Sequence, residues 1–263
     1  MERQQFKSHH NTAPQGKKIF HTIFSVFLVL VVAGLVALFF LNQRGAVGED
    51  LSSLQTLWED GKYRETFELA GQRLAGNPLD YSLLTLRGYS AFQLAIAQIN
   101  LSDTLVYIDE CIWSLRKAML SPRKTPGNTA DATVKSVDGG LFYVLGKAYY
   151  QKGHAYMDLA IKYLESALSE SYTAADIPEY LGLAYAAVQD YRHSVEAFTL
   201  ALTDQADQNT EPADLLLLSI ARSYRGLGDN ETAAAYLIRC TETTKDSFVL
   251  VRTRLLLGEI FQF

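Results

Sequence analysis

The sequence lacks the short motifs by which the common enzyme classes are recognised. Across its 263 residues there is no HExxH, no paired CxxC, no G-x4-GK[ST] phosphate-binding loop and no GxSxG nucleophile elbow. The five histidines are scattered along the chain, at His9, His10, His21, His154 and His193. We therefore expect no enzyme activity, no catalytic residue, no bound cofactor or metal ion, and no small-molecule substrate.

The main part of the chain is also short of positive charge. Residues 45–263 hold 19 Lys and Arg side chains against 28 Asp and Glu, whereas residues 1–18 carry four cations and one acid. An acidic body of this kind repels the phosphate backbone of DNA and RNA. Nucleic acid is therefore not an expected partner.

One stretch has no formal charge at all. Residues 19–41 form a run of 23 largely apolar residues, which at about 1.5 Å per helical residue is long enough to cross a hydrocarbon core of about 30 Å. We predict an uncleaved transmembrane signal anchor here. The alternatives are a cleaved leader, which has a shorter apolar run followed by small residues, and a buried core helix.

The cations that flank this run set its expected orientation. Four Lys and Arg residues precede it, whereas Arg44 and Lys62 are the only ones between residues 42 and 62. The positive-inside rule then keeps residues 1–18 in the cytoplasm and exports the rest. The prediction is a single-pass protein of the bacterial inner membrane with a periplasmic C-terminal domain.

The exported part is dominated by self-similarity. An apolar residue, a small residue, two variable ones and an aromatic recur four times, at residues 145–149, 181–185, 220–224 and 257–261. A second motif, of small and large apolar residues, follows the first three copies, at residues 160–168, 194–202 and 233–240. Glycine inside a helix costs about 1 kcal/mol relative to alanine, so its recurrence at one spacing indicates close helix packing.

These motifs resemble the signature of the tetratricopeptide repeat (TPR) family, in which each repeat is a pair of helices. The resemblance implies an all-α fold: a right-handed TPR-type α-solenoid over residues 47–263, with about five repeats and a final unpaired helix, preceded by one transmembrane helix. That last helix either caps the solenoid, with its outer face open or docked elsewhere, or belongs to a longer chain. The polar insertion at residues 121–140 is predicted to be disordered, with a partner-binding loop as the alternative.

The repeat pattern also bears on the two cysteines. Cys111 and Cys240 fall in the second and fifth repeats, and stacked helices about 8–10 Å apart separate them by tens of ångströms. A disulfide requires Cα atoms within about 7 Å. We therefore predict two free cysteines that fill small spaces in the core.

In the TPR family the first helix of each repeat lines a concave groove that takes a peptide or a helix. The resemblance implies a groove for apolar anchors and a carboxylate, formed by Tyr89, Phe92, Tyr143, Lys147, Tyr150, Glu179, Leu183, Arg222 and Arg225. The aromatic residues could instead pack between repeats. The cations are expected to meet water or a ligand, because charges on packed helices avoid burial.

The resemblance and the missing chemistry together suggest a membrane-anchored scaffold that assembles or stabilises a bacterial envelope complex, similar in architecture to the TPR proteins of periplasmic flagellar collars. Its expected partners are other proteins in the groove and a membrane at residues 19–41. An organelle-surface import or chaperone-docking receptor with a cytosolic TPR domain is the main alternative. A third is the regulatory subunit of an enzyme, or a hydrolase without a recognisable motif.

Overall fold

The computed structural model of the chain describes residues 51–122, 138–207 and 213–261. By its internal contacts the chain divides into two units, Met1–Ser53 and Leu54–Phe263. Of the first unit, residues 51–53 are described and are helical. The predicted tail and transmembrane anchor, and residues 123–137 of the predicted insertion, lie outside the described residues.

Helices make up the second unit, and no strand occurs in the described ranges. The first helix, α1, ends at residue 59. It is followed by α2 (Tyr63–Leu74), α3 (Tyr81–Ile96), α4 (Leu101–Met119), α5 (Gly139–Lys152), α6 (Met157–Ser169), α7 (Ile177–Ala187), α8 (Tyr191–Asp207), α9 (Asp214–Gly226), α10 (Asn230–Thr243) and α11 (Ser247–Phe261). A short 3-10 turn, His154–Tyr156, joins α5 to α6. The predicted all-α fold of repeated helices is confirmed.

Polar side chains fix where several of these helices begin. In each case a side-chain oxygen accepts a hydrogen bond from a backbone N–H of the first turn, which would otherwise lack a partner. These capping residues are Asp80, Asn100, Asp138 and Asp229, with donor–acceptor distances of 2.8 to 3.1 Å. A cap of this kind contributes about 1 kcal/mol.

In four of the five described helix pairs, all except α3/α4, the turn inside the pair contains a residue with positive φ. Gly61, Gly153 and Gly228 have φ angles of 73°, 111° and 82°, and each ends the first helix of a pair. The pair α7/α8 has Gln189 at this place, with φ of 64°. A side chain is strained in this conformation, whereas glycine adopts it freely.

Replacing Gln189 by glycine is therefore expected to stabilise the protein. The relief of backbone strain exceeds the entropy that glycine adds to the unfolded chain, and we expect a net gain of about 0.5 kcal/mol. Urea denaturation followed by circular dichroism measures it. Gln189→Ala is the matched control, since it shortens the side chain but keeps the strained φ; a gain of the same size in that variant would show that strain is not the cause.

The contacts between helices define an inner surface. From α2 onward each helix packs on its neighbours in sequence, and the odd-numbered helices also contact one another in succession, α3 with α5, α5 with α7, α7 with α9 and α9 with α11. Among the described residues, the even-numbered helices make no comparable contacts with each other. The stack is therefore tighter on its odd-numbered side, and we call the side lined by α3, α5, α7, α9 and α11 the inner surface.

In three pairs a glycine of the first helix lies directly against a side chain of the second helix. We call the space beside such a glycine a notch. A methyl group added to Gly88, Gly146 or Gly182 would lie 2.5, 2.6 or 2.5 Å from side-chain atoms of Leu115, Leu164 or Phe198, respectively. Because real Cβ atoms do not approach other atoms this closely, glycine is what allows the second helix to pack against the first.

Both cysteines lie in the core of this packing. Cys111 and Cys240 have no exposed surface and form no disulfide, as predicted. Burial in apolar surroundings raises the pKa of both thiols, which keeps them protonated and unreactive at neutral pH.

The predicted location in a membrane is overturned. In the part of the chain that the structure describes, no helix is long and apolar enough to span a bilayer. Even α4, with 19 residues, carries charged side chains such as Asp103, Arg116 and Lys117 along its length. The prediction of a single-pass inner-membrane protein with a periplasmic domain is therefore not carried further.

Candidate protein-binding surface

All the predicted groove residues lie on odd-numbered helices. They are Tyr89 and Phe92 of α3, Tyr143, Lys147 and Tyr150 of α5, Glu179 and Leu183 of α7, and Arg222 and Arg225 of α9. The structure gathers most of them into two groups. One surrounds Lys147 between α3, α5 and α7, and the other contains arginines of α9 and α11.

The aromatic residues of α3 pack between repeats. Phe92 is 5% exposed, and the ring of Tyr89 lies 6.1 Å from that of Trp58. Burial, with the nearby Asp138 carboxylate as a smaller contribution, raises the pKa of Tyr89. Phe92 therefore belongs to the core, and Tyr89 packs against it while staying partly exposed.

Lys147 already has an anionic partner within the chain. Its ammonium group donates hydrogen bonds to Asp176 Oδ2 at 2.8 Å and to the Tyr143 hydroxyl at 2.9 Å. The Tyr143 hydroxyl in turn donates to the Asp176 carboxylate. The Lys147 side chain is 14% exposed, so its charge is neutralised by Asp176 instead of facing water.

Burial and pairing act on these groups in opposite directions. Burial alone would lower the pKa of Lys147, but the hydrogen bonds to Asp176 and Tyr143 outweigh it and raise the pKa above the ordinary lysine value. For Tyr143, burial is the largest influence and raises the pKa to about 12. Both groups therefore keep their protons throughout the physiological range.

Three aromatic rings surround the same ammonium group. The Lys147 Nζ atom lies 5.7 Å from the ring centroid of Phe92, 4.9 Å from that of Tyr143 and 4.7 Å from that of Tyr180. These rings come from α3, α5 and α7 respectively, so one cation joins three successive odd-numbered helices through cation–π contacts. Lys147 is thus a structural cation of the inner surface.

Next to this group, Tyr150, Glu179 and Leu183 remain partly exposed. The Tyr150 ring packs edge-on against Tyr180 at 5.2 Å, and burial raises the pKa of Tyr150. Burial, and then the charge of Asp176, also raises the pKa of the Glu179 carboxyl. No described residue forms an ion pair with Glu179.

The raised pKa of Glu179 predicts a pH effect on stability. A carboxyl group that binds its proton more tightly in the folded state destabilises that state as the pH rises through the folded pKa, which lies above the usual glutamate value. We expect Glu179→Gln to stabilise the protein at neutral pH by less than about 1 kcal/mol, because water screens a half-exposed charge.

Urea denaturation at several pH values checks this expectation. The gain from Glu179→Gln should shrink as the pH falls below the ordinary glutamate range, where wild-type Glu179 is protonated too. Glu68, an exposed glutamate of α2 without an ion-pair partner among the described residues, gives the matched control Glu68→Gln. A gain independent of pH would show that ionisation of Glu179 is not its cause.

The second group consists of three arginines and one acid. Arg225 Nη1 of α9 lies 2.6 Å from Glu259 Oε2 of α11. Burial, followed by the positive charges of Arg252 and Arg225, lowers the pKa of Arg222. No described residue forms an ion pair with Arg222 or Arg252, and the Arg252 guanidinium lies 4.9 Å from the centroid of the Phe248 ring.

Arg222 and Arg252 place two exposed cations on neighbouring odd-numbered helices, and neither has an ion-pair partner among the described residues. Arg252 was not among the predicted groove residues. Neither were Asp176 and Tyr180, the two α7-side partners of Lys147. In the described ranges, no group of three His, Cys, Asp or Glu side chains could hold a metal ion.

A separate groove lies on the other side of the stack. Its volume is about 1480 Å³, and its walls come mainly from α2 and α4. Trp113 and Leu120 on its rim are 53% and 84% exposed. Two of its three acids, Glu110 and Asp109, are paired with basic groups, at 2.8 and 2.6 Å. None of the predicted groove residues lines it.

Helix pairs stacked through glycine notches, with the first helices lining one surface, define a TPR-like α-solenoid. Residues 216–247 match the family model for the tetratricopeptide repeat. This match and the similar solved structures support the predicted resemblance to the TPR family. No curated protein matches the chain.

Solved structures with a similar fold include TPR proteins. MamA is 18% identical with a TM-score of 0.54, and the alignment covers 74% of this chain and 92% of MamA. YrrB, a TPR protein described as having an unusual peptide-binding site, is 12% identical with a TM-score of 0.59, covering 78% and 90%. The C-terminal part of a TPR protein from Cytophaga hutchinsonii is 12% identical with a TM-score of 0.53, covering 80% and 69%. At these identities the likeness shows the fold alone.

Proposed function

We propose that this chain is a non-enzymatic scaffold that binds acidic segments of other proteins on its inner surface. The observation that carries the proposal is that Arg222 of α9 and Arg252 of α11 lie on two helices that pack on each other, are both exposed, and have no ion-pair partner among the described residues. Like charges on neighbouring helices repel each other. A bound carboxylate would turn that repulsion into a bridged, charge-assisted contact.

The neighbouring residues supply the rest of the binding site. Tyr150 and Leu183 are partly exposed apolar side chains on α5 and α7, and can hold apolar anchors of the segment. Helix axes pack about 8–10 Å apart, and an extended peptide advances about 3.3 Å per residue. An anchor over α7 and a carboxylate over α9 would therefore be about three residues apart in the bound segment.

The comparisons bear on this proposal by analogy. YrrB shares the fold and is described as having a peptide-binding site, which makes peptide binding a natural use of the inner surface here. The narrower expectation of an envelope complex rested on the membrane location. It is therefore not part of the proposal, which defines the bound segment by its chemistry alone.

A peptide-display library selected on the full chain tests the proposal. We expect enriched peptides to contain an acidic residue about three positions from an aromatic or aliphatic one. The double charge reversal Arg222→Glu/Arg252→Glu should lose these peptides. The matched control is Arg192→Glu/Arg239→Glu, which makes the same charge change on the exposed faces of α8 and α10. Selection of peptides without acids, or equal retention by both double variants, would contradict the proposal.

A further inference from the structure

The last described helix, α11, contains the same glycine and aromatic motif as the first helices α5 and α7 of the earlier repeats. In α11 this motif lacks the contacts with a second helix that it makes in those repeats. At Gly146 and Gly182 the notch is filled by Leu164 and Phe198 of the paired second helix. Gly258 occupies the same place in α11, yet a methyl group added there would meet no described atom within 4 Å. The Gly258 notch is therefore open.

The aromatic residue at the end of this motif is a second, independent indication that the face is open. In three pairs it stacks on a ring of the second helix, as Tyr149 on Tyr163, Tyr185 on His193 and Tyr224 on Tyr236, with centroids 5.5, 5.2 and 5.6 Å apart. Phe261 is the corresponding residue of α11 and is 69% exposed. In α11, then, both contacts that a second helix normally provides are missing among the described residues.

The exposed face of α11 that contains Gly258 and Phe261 is otherwise apolar and positively charged. Val251 and Leu255 are 57% and 64% exposed, while Val249 and Thr253 on the opposite side are buried against α9 and α10. Arg254 is exposed, and no described residue forms an ion pair with it. The one acid of α11, Glu259, is held by Arg225. Two copies of this face would repel each other, whereas an acidic surface would complement it.

We propose that the open face of α11, formed by Val251, Arg254, Leu255, Gly258 and Phe261, binds an acidic amphipathic helix of a partner protein. This helix packs against α11 in the way that the second helix of each earlier pair packs against the first. It inserts a Leu or Phe side chain into the Gly258 notch, stacks a ring on Phe261 and turns carboxylates towards Arg254. The site is distinct from the inner surface and does not depend on the function proposed there.

A helix of the chain itself provides a probe with the required chemistry. A fluorescent peptide with the sequence of α8, residues 191–207, contains Phe198, which fills the Gly182 notch. It carries three acids, Glu196, Asp204 and Asp207. Fluorescence anisotropy with the full chain should show saturable binding, and replacing Phe198 by alanine in the peptide should weaken it by about tenfold or more.

Substitutions in the full chain then locate the binding site. Gly258→Leu fills the notch in open space, so the variant folds, and peptide binding should weaken by about tenfold or more. Arg254→Glu should weaken it several-fold, whereas Lys162→Glu, an exposed charge reversal on α6, should not. Undiminished binding to Gly258→Leu would overturn the proposal. So would no binding to the wild type, or a dimer of the chain that Gly258→Leu dissociates, since the occupant would then be a second copy.

Discussion

Replacing Phe198 by alanine is expected to destabilise the protein by about 3–5 kcal/mol. Phe198 has no exposed surface, and its ring fills the Gly182 notch between α7 and α8. Alanine would leave a cavity between the two helices, and a well-packed interior relaxes only partially into such a cavity. Urea denaturation measures the loss, and Leu200→Ala, 61% exposed on the same helix, should change stability by less than about 0.5 kcal/mol.

The notch predicts how Phe198 and Gly182 depend on each other. In the wild type, Gly182→Ala would place its methyl group 2.5 Å from the Phe198 ring, at a cost of about 1–3 kcal/mol. In the Phe198→Ala background the space is empty, and Gly182→Ala should be neutral or stabilising because alanine favours the helix. The double-mutant cycle should therefore give a coupling energy above about 1 kcal/mol. Additive effects would show that the glycine does not serve this contact.

The second large loss of stability is expected when Lys147 is replaced. Replacing it by methionine keeps the apolar stem but removes the ion pair with Asp176 and the contacts with three rings. We expect a loss of about 2 kcal/mol, which is less than for a fully buried ion pair because Asp176 keeps some contact with water. Denaturation of Lys147→Met measures it, with Lys245→Met, an exposed lysine before α11, as the matched control.

A further variant separates the ion pair from the ring contacts. Asp176→Asn removes the carboxylate while Lys147 stays among the aromatic rings. If the ion pair matters, Lys147→Met should cost less in the Asp176→Asn background than in the wild type. A loss at Lys147 no greater than that at Lys245 would contradict the structural role of this cation.

The sequence predicted the repeated helices because their packing depends on local spacing. A small residue three positions before an aromatic lies on the same helix face as that aromatic, so Gly146-Tyr149 and Gly182-Tyr185 indicated a packed face directly. The resemblance to the TPR family also placed the candidate residues on one series of helices. These features survive in a single sequence because each lies within one or two turns of helix.

The pairing of Lys147 could not be predicted in the same way. The sequence argument was that a charge on a packed helix must meet water or a ligand, but a carboxylate of the same chain satisfies the requirement equally well. Asp176 lies just before α7, in a turn that the helix register does not reach. Its distance from Lys147 depends on how two repeats stack. The positions of Arg222 and Arg252 could not be predicted for the same reason. These residues are far apart in sequence and come onto neighbouring helices only because α11 packs on α9.

Hydrogen exchange of the full chain, with and without a selected acidic peptide, tests the central claim most directly. If partners bind on the inner surface, the peptide should slow exchange in α7, α9 and α11, and Arg222→Glu/Arg252→Glu should abolish the slowing. Slowing confined to α2 and α4, around the groove lined by Trp113, would contradict the account, because the partner would then bind on the opposite side of the stack.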